Sequence, residues 1–340
     1  MLAFRAECAR LTRSFFSGRG YLEVDTPALA ADLIPETCLE VFETRYLVPG
    51  RTGTAGGIPL WLVPSPEVYI KRLVADHGIP LFQLSKCYRN VESVGRIHSP
   101  EFTMLEYYTM NAGYRDSIDV TESFLSSLSA GLFAGTPVPP PAWLDSEPET
   151  LTMDEAFSRF AGFNLSSCDT SRDLARQASR LGLGEEAALA AWPWDDLYEL
   201  VLVHAVEPAL PRGRRVYLTD YPARVPCLAR ERSVTVNGKV WATKERWELY
   251  VDGVELANCY SEERDAGRIA RYFAEERSLK DSTARVPHSA TAGFAETCAR
   301  MPECSGVAAG FDRLVMSLAG RKSVDSVMPF PLTDRIQRGG

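Results

Sequence analysis

The stretch YRNVESVGRIHSPEFTMLEYY, residues 88–108, decides the fold. Leu81 to Tyr88 and Glu101 to Met110 are both strand-like, and the polar run VESVGRIHSP joins them. Together they predict a long antiparallel hairpin with Arg89 at the end of its first strand. Period-two alternation puts Phe102, Met104, Glu106 and Tyr108 on one face of the second strand. Further hairpins flanked by helices, without regular βαβ alternation, predict an α+β fold. No GxGxxG or P-loop is present, so a nucleotide site would be of another kind.

Toward the N-terminus, residues 3–19 carry Phe4, Cys8, Leu11 and Phe15 on one helical face. Gly18 and Gly20 end that helix, and Tyr21 to Val24 reads as a strand stopped at Pro27. A strand is expected around Leu39 to Val48, then a glycine-rich hairpin GRTGTAGG (50–57) and a short strand from Leu60 to Val63. Ser65-Pro66-Glu67 opens a helix that presents Val68, Leu73 and Val74 to a core and stops at Gly78. Beyond the central hairpin come a helix over 113–130 and a stiff PVPPP connector (137–141). A mostly helical section over about 150–212 follows. Strands are expected at Val216 to Tyr221 and Val234 to Val236, the latter entering the turn Asn237-Gly238. Trp247 to Val251 and Val254 to Asn258 flank the turn Asp252-Gly253. A charged helix over 262–280, a small-residue strand from Ser305 to Phe311 and a helix from Asp312 to Leu318 complete the reading.

Composition narrows the function. The 37 basic residues are outnumbered by 45 acidic ones, for a net charge of −8 with no basic block, which argues against a large nucleic-acid footprint. The eight cysteines include no CxxC pair, and the four histidines are not at ligand spacing. Reduced cytosolic thiols are expected, rather than a disulfide frame or zinc site. The first residues lack the apolar core of a secretory signal, and no run is long enough to span a membrane.

Three clusters carry candidate chemistry. The Phe102–Tyr108 face, with Arg89 and His98 nearby, has the makings of a ligand wall, although the pattern also suits a half-exposed strand. Glu248 and Glu255, either side of the Asp252-Gly253 turn, can converge on one Mg²⁺ beside a nucleotide, or be solvated edge charges. In Ser305 to Arg313, small residues on a buried strand allow a ligand close to the backbone. Arg313 in the first helical turn has little electrostatic reason to be there unless it meets a phosphate or a base.

Taken in order, these clusters resemble the three motifs of the class II aminoacyl-tRNA synthetases, lysyl branch. The helix and strand ending in EVDTP, with Pro27 at a dimer-facing turn, resemble the first. YRN…HSPEFTMLEYY resembles the second and GVAAGFDRLVMSLAG the third. LWLVPSPEVYIKRL and WELYVDGVELANCYSEERDA resemble intervening lysyl-family segments, so the resemblance runs from about residue 4 to 330. The first motif begins almost at Met1, leaving no room for an anticodon-binding domain. A single catalytic domain over 1–340 is therefore expected, with a variable section at about 111–212. This points to the truncated elongation factor P lysyltransferases within the family.

The resemblance implies ATP and Mg²⁺ as cofactors and lysine or (R)-β-lysine as substrate. It implies elongation factor P as protein acceptor, a cytoplasmic homodimer, and neither tRNA nor membrane as partner. By the same resemblance Arg89 would bind the α-phosphate and the substrate carboxylate, with Glu92 and His98 also at the ATP. Phe102 and Arg313 would sandwich the adenine, Arg89 and Arg313 being the catalytic pair. Glu248 and Glu255 would hold Mg²⁺, and Asn258 the substrate carboxylate. Glu67 would meet the amine near the reacting end, and Glu262 with Tyr108 the distal ammonium. Ala308, where lysyl-tRNA synthetases have glycine, would reshape the pocket floor.

Two departures stand out. Val91 falls where the family has glutamate, with Glu92 one place later in a loop longer by one residue. Cys259 replaces a glycine. A minimal enzyme charging tRNA or a carrier with α-lysine, and a catalytically retired regulatory paralogue, are the alternatives.

Overall fold

The computed structural model describes residues 1–50, 57–92, 94–236 and 238–333. Most of the expected 50–57 hairpin and Asn237 of the Asn237-Gly238 turn lie outside the described residues. The chain forms two compact units, Met1–Pro139 with Glu262–Gly340, and Pro140–Ser261.

The first unit opens with α1 (Leu2–Gly18), β1 (Leu22–Glu23), β2 (Leu29–Ala30), β3 (Phe42–Tyr46) and β4 (Ile58–Leu62). Then come α2 (Glu67–His77), β5 (Leu81–Tyr88), β6 (Glu101–Met110) and α3 (Tyr114–Phe133). Helix α2 stops where Gly78 takes φ of 61°, a left-handed cap that glycine adopts without steric cost. The face it buries differs from expectation. Lys71 is 1% exposed, as deeply buried as Val68, Ile70 and Val74, whereas Leu73 is only half-buried. Ion pairing, described below, is what allows a lysine to occupy an apolar position.

The second unit begins with α4 (Ala142–Asp145), β7 (Glu149–Thr152) and α5 (Met153–Ala156), then α6 (Ser171–Arg180), α7 (Glu186–Leu189) and α8 (Trp194–Val201). Four strands follow: β8 (Arg215–Pro222), β9 (Glu231–Val236), β10 (Lys239–Val251) and β11 (Val254–Ser261). Strand β10 starts eight residues before the expected Trp247, because its polar first half is held by pairing with β9 rather than by burial. Strand β8 pairs parallel with β7 and antiparallel with β10, and β10 pairs antiparallel with β11. The expected helical section is present as short helices. Met153, Phe157, Leu174, Leu197 and Val201 from it pack with Val216 and Leu218 into one core.

The chain returns to the first unit with α9 (Ala266–Thr283), α10 (Phe294–Ala299), β12 (Cys304–Gly310) and α11 (Phe311–Leu318). There β1, β5, β6 and β12 are neighbours in order, β1 parallel to β5 and the rest antiparallel. A smaller antiparallel sheet runs β2-β4-β3.

The two faces of β6 do different work. Tyr107 points to α1 and α3, where Phe16 is fully buried against Phe82, Tyr107 and Phe124 at ring distances of 5.2, 4.6 and 5.2 Å. Burying such a ring contributes about 1.5–3 kcal/mol. The opposite face carries Phe102, Met104, Glu106 and Tyr108 and is left for chemistry. Among the described residues no helix is long and apolar enough to cross a membrane.

Candidate active site

Register places small residues of β12 directly across from the polar residues of β6. Gly306 faces Tyr108, Ala308 faces Glu106, and Gly310 faces Met104. A Cβ on Gly306 would collide with Glu262 Oε1 and lie 2.7 Å from Tyr108 Cε1. The glycine is therefore what lets a carboxylate and a phenol meet over this strand.

Around that point lies a buried polar cluster. Tyr108 and Glu106 are 2% and 3% exposed, and the Tyr108 hydroxyl donates to Glu106 Oε1 at 3.1 Å. Burial, then the Glu67 charge, pushes the Glu106 carboxyl well above the ordinary carboxylate range. Burial, then the nearby carboxylates, likewise raises the Tyr108 hydroxyl. Glu262 is 4% exposed, and burial pushes it up to about 7 despite the opposing Lys71 charge. Lys71 Nζ lies 2.8 Å from Glu262 Oε2 and also contacts Glu67 Oε1 one helical turn before it. Burial works to lower the Lys71 ammonium, but Glu262 and Glu67 outweigh it and hold it well above the ordinary lysine value.

The segment 35–41 borders the same cluster. Glu40 bridges to Asn90, the residue after Arg89, whose N–H donates to Glu40 O at 2.8 Å. Lys280 donates to the carbonyls of Glu36 and Leu39 at 2.7 and 2.5 Å. Burial, then the Glu67 charge, raises Glu36 to about 7, with Arg89 opposing. Glu36 thus belongs to the neighbourhood of Glu67 and Arg89.

At the other end of the β6 face, the Arg89 guanidinium carbon lies 5.2 Å from the Phe102 ring centroid. Arg313 Nε donates to Ile97 O at 3.1 Å, a backbone anchor that the sequence did not disclose. Glu92 Oε1 is 3.6 Å from His98 Nε2, too long for a hydrogen bond. Burial, then Arg313 and Arg89, lowers the His98 imidazole, so it is neutral at pH 7. Arg89, Glu92, His98 and Arg313 therefore share one neighbourhood. Val91 is exposed with φ of 57°, a left-handed backbone that a β-branched residue rarely adopts.

In the second unit, the turn forms as expected, with Asp252 and Gly253 at φ of 51° and 76°. Glu248 pairs directly with Asn258 across the hairpin. Glu255 lies three residues from Asn258, which in a regular strand would put it on the opposite face. A bulge skips Leu256 and sets Glu255 opposite Tyr250 instead, so all four share a face. Asn258 Nδ2 then donates to Glu255 Oε1 at 3.5 Å.

Glu248 is 7% exposed and contacts Arg246, which stacks 4.3 Å over Tyr221 and 5.4 Å over Tyr260. Burial works to raise Glu248, but Arg246 and the Tyr250 and Tyr221 hydroxyls outweigh it and hold the carboxyl below its ordinary value. Tyr250 Oη is 2.7 Å from Glu248 Oε2 and 2.9 Å from Glu207 Oε1. One hydroxyl proton serves only one acceptor. Burial raises the Glu207 carboxyl, with the Tyr250 hydrogen bond opposing, whereas Glu248 is lowered, and the Tyr250 hydroxyl is placed to donate to either carboxylate. Glu248 and Glu255 are oxygen donors of the type Mg²⁺ takes, and the first is ionised with lone pairs to spare.

Sequence reading missed Lys71, Glu36, Arg246 and Tyr250, and left Glu106 without a role. The i,i+4 spacing of Glu67 and Lys71 was the available signal for one of them. Cys259 is fully buried, and none of the eight cysteines forms a disulfide.

Against known proteins, residues 1–334 match the class II tRNA synthetases (D, K and N). The chain is 33% identical over 331 residues to the elongation factor P–(R)-beta-lysine ligase of Sodalis glossinidius (strain morsitans), covering 96% of this chain and 93% of that protein. It is 31% identical over 329 residues to the protein of the same name from Hamiltonella defensa, covering 96% and 94%. The Proteus mirabilis protein of that name is 32% identical over 330 residues, again covering 96% and 94%. The β6–β12 wall and the β10–β11 carboxylate hairpin are thus features of a chain that belongs to the class II tRNA synthetase family.

Proposed function

We propose that this protein is an ATP-dependent, AMP-forming ligase that activates lysine or (R)-β-lysine and transfers it to a lysine side chain of elongation factor P. The observation that carries the reading is the cluster of buried Glu106, Tyr108 and Glu262 with half-buried Glu67. Such a cluster suits a substrate with ammonium groups, because charge-assisted hydrogen bonds gain strength where water is excluded. It would disfavour uncharged analogues that leave its buried groups unpaired. The relatives' names supply the acceptor.

In the first half-reaction a substrate carboxylate oxygen attacks the α-phosphorus of ATP. The new O–P bond forms as the bond to pyrophosphate breaks, giving aminoacyl-adenylate. Arg89 holds the α-phosphate and the substrate carboxylate and offsets the charge that develops in this displacement. Phe102 and Arg313 bind the adenine, and Glu92 and neutral His98 complete the nucleotide contacts. Glu67 takes the amine nearer the reacting end, Glu262 and Tyr108 the distal ammonium, and Ala308 shapes the floor. Glu248 and Glu255 would hold Mg²⁺, which would supply positive charge to offset that of the phosphates, while Asn258 orients the substrate carboxylate. In the second half-reaction the neutral amine of the acceptor lysine attacks the acyl carbon, an amide forms, AMP leaves and one proton is released. No side-chain nucleophile of the enzyme is needed.

A homodimer suits the first unit, where Leu22 and Pro27 of the first motif, and Leu29 just after it, are exposed. The free cysteines suit the cytoplasm.

Amino-acid-dependent ATP–pyrophosphate exchange, with α-lysine, (R)-β-lysine or no amino acid and Arg313→Ala as control, tests the activation step. Exchange strongest with (R)-β-lysine, followed by a mass increase on elongation factor P, is the expected result. Exchange with α-lysine alone, coupled to charging of tRNA, would replace the reading by a minimal synthetase. No exchange at all would replace it by a regulatory paralogue.

A further inference from the structure

We infer that Lys71 is a positioning residue of the amino-acid site, a built-in cation that holds the Glu67 and Glu262 carboxylates in place for the incoming substrate. The inference rests on the proposed lysine-activating reading and adds a residue to it.

The geometry is direct. Lys71 sits on α2 one turn after Glu67, is 1% exposed, and reaches both Glu67 Oε1 and, at 2.8 Å, Glu262 Oε2. An ammonium this deeply buried is strongly unfavourable unless carboxylates compensate it. Its two partners come from elements far apart in sequence, the start of α2 and the segment before α9. Among the described residues, Lys71 is thus the cation that ties both proposed ammonium acceptors together.

The ion pair gives it a purpose. An ammonium 2.8 Å from Glu262 favours the ionised carboxylate against the burial that raises it. Without Lys71, the two carboxylates would face each other in a dry site and one would take up a proton. Glu262, already pushed up to about 7 by burial, is the one nearest to doing so. The distal ammonium would then meet a neutral acid, and binding would have to expel its proton. The groups facing this pair are Glu36, Glu67, Glu106, Tyr108, Cys298 and Cys304. Burial raises both thiols, Cys298 to about 12, so neither titrates near neutrality.

The test compares Lys71→Met and Lys71→Arg with the unaltered protein across pH 6–9. It uses calorimetric binding of α-lysine and (R)-β-lysine together with pyrophosphate exchange. Lys71→Met is expected to weaken lysine binding at neutral pH at least tenfold and to move the pH inflection of binding upward, with the KM for ATP changed less than twofold. Lys71→Arg keeps the charge but not the head-group shape, so it should weaken binding while leaving the inflection in place. Unchanged lysine affinity and pH profile in a folded Lys71→Met protein would overturn the inference, as would a fall in kcat alone. Should that variant not fold, unchanged affinity in Lys71→Arg overturns it instead. If the unaltered protein binds neither lysine, the lysine-activating reading falls and takes this inference with it.

Discussion

Gly306 and Tyr108 lie directly opposite one another on β12 and β6, and the absent Cβ of the glycine is the space in which the Tyr108 ring meets Glu262. Substituting Gly306→Ala would drive a methyl onto Glu262 Oε1 and to within 2.9 Å of Tyr108 Cζ. The expected outcome is a rise of at least tenfold in the KM for the amino acid. An overpacking cost of about 1–3 kcal/mol in unfolding free energy should accompany it. Exchange kinetics and urea denaturation measure the two effects, and a variant with normal KM would disprove the close approach.

Substrate affinity should depend on pH through Glu262. Its carboxyl is raised by burial to about 7, and an ammonium binds the ionised form better. Below pH 7 binding must release a proton, so 1/KM for lysine should climb as pH rises through about 7 and then level. The substrate's own side-chain ammonium remains charged until about pH 10. A KM flat between pH 6 and 8.5 would remove Glu262 from the ammonium site.

The strain at Val91 predicts a stabilising substitution. At φ of 57° a β-branched side chain is crowded, whereas asparagine tolerates the left-handed region. Val91→Asn should raise unfolding free energy by about 1 kcal/mol, within the cost of such strained residues. Chemical denaturation at neutral pH checks it, and a loss of stability would show that the backbone does not hold this turn.

Arg246 is the counter-charge of Glu248, and removing it leaves a carboxylate in a dry setting. Arg246→Met should cost about 3 kcal/mol in stability, the lower end for breaking a buried pair. Glu248 is held below its ordinary value, so its stabilising share is present above about pH 4.5, the usual Glu value, and is lost as pH falls through its lowered value. In Arg246→Met that loss should move to higher pH. Melting curves from pH 3 to 8 would show it, and an unshifted acid limb would argue against the pairing.

Much of the fold was legible because its signals are local. Alternation along Glu101 to Met110, the Asp252-Gly253 turn and the Gly78 stop are each set within a few residues. What was missed depended on partners distant in sequence. Lys71 reads as a helix surface residue until Glu262, nearly two hundred positions later, comes to lie 2.8 Å away. Glu36 sits in a segment with no periodicity, fastened by Lys280 and Asn90. Strand β10 ran longer than expected because pairing with β9, not an apolar pattern, holds its first half.

The sequence by itself determined the order of the three motifs, the strand faces and the residue types available for chemistry, since periodicity and turn preference act over a few bonds. Tertiary structure decided which of those residues share a charge environment. The bulge at Leu256 alone turns Glu255 to the side of Glu248 and Asn258, and the packing of α2 against the segment before α9 alone pairs Lys71 with Glu262. Register shifts and buried ion pairs are set by distant segments competing for the same dry volume, a constraint that appears only once the chain has folded.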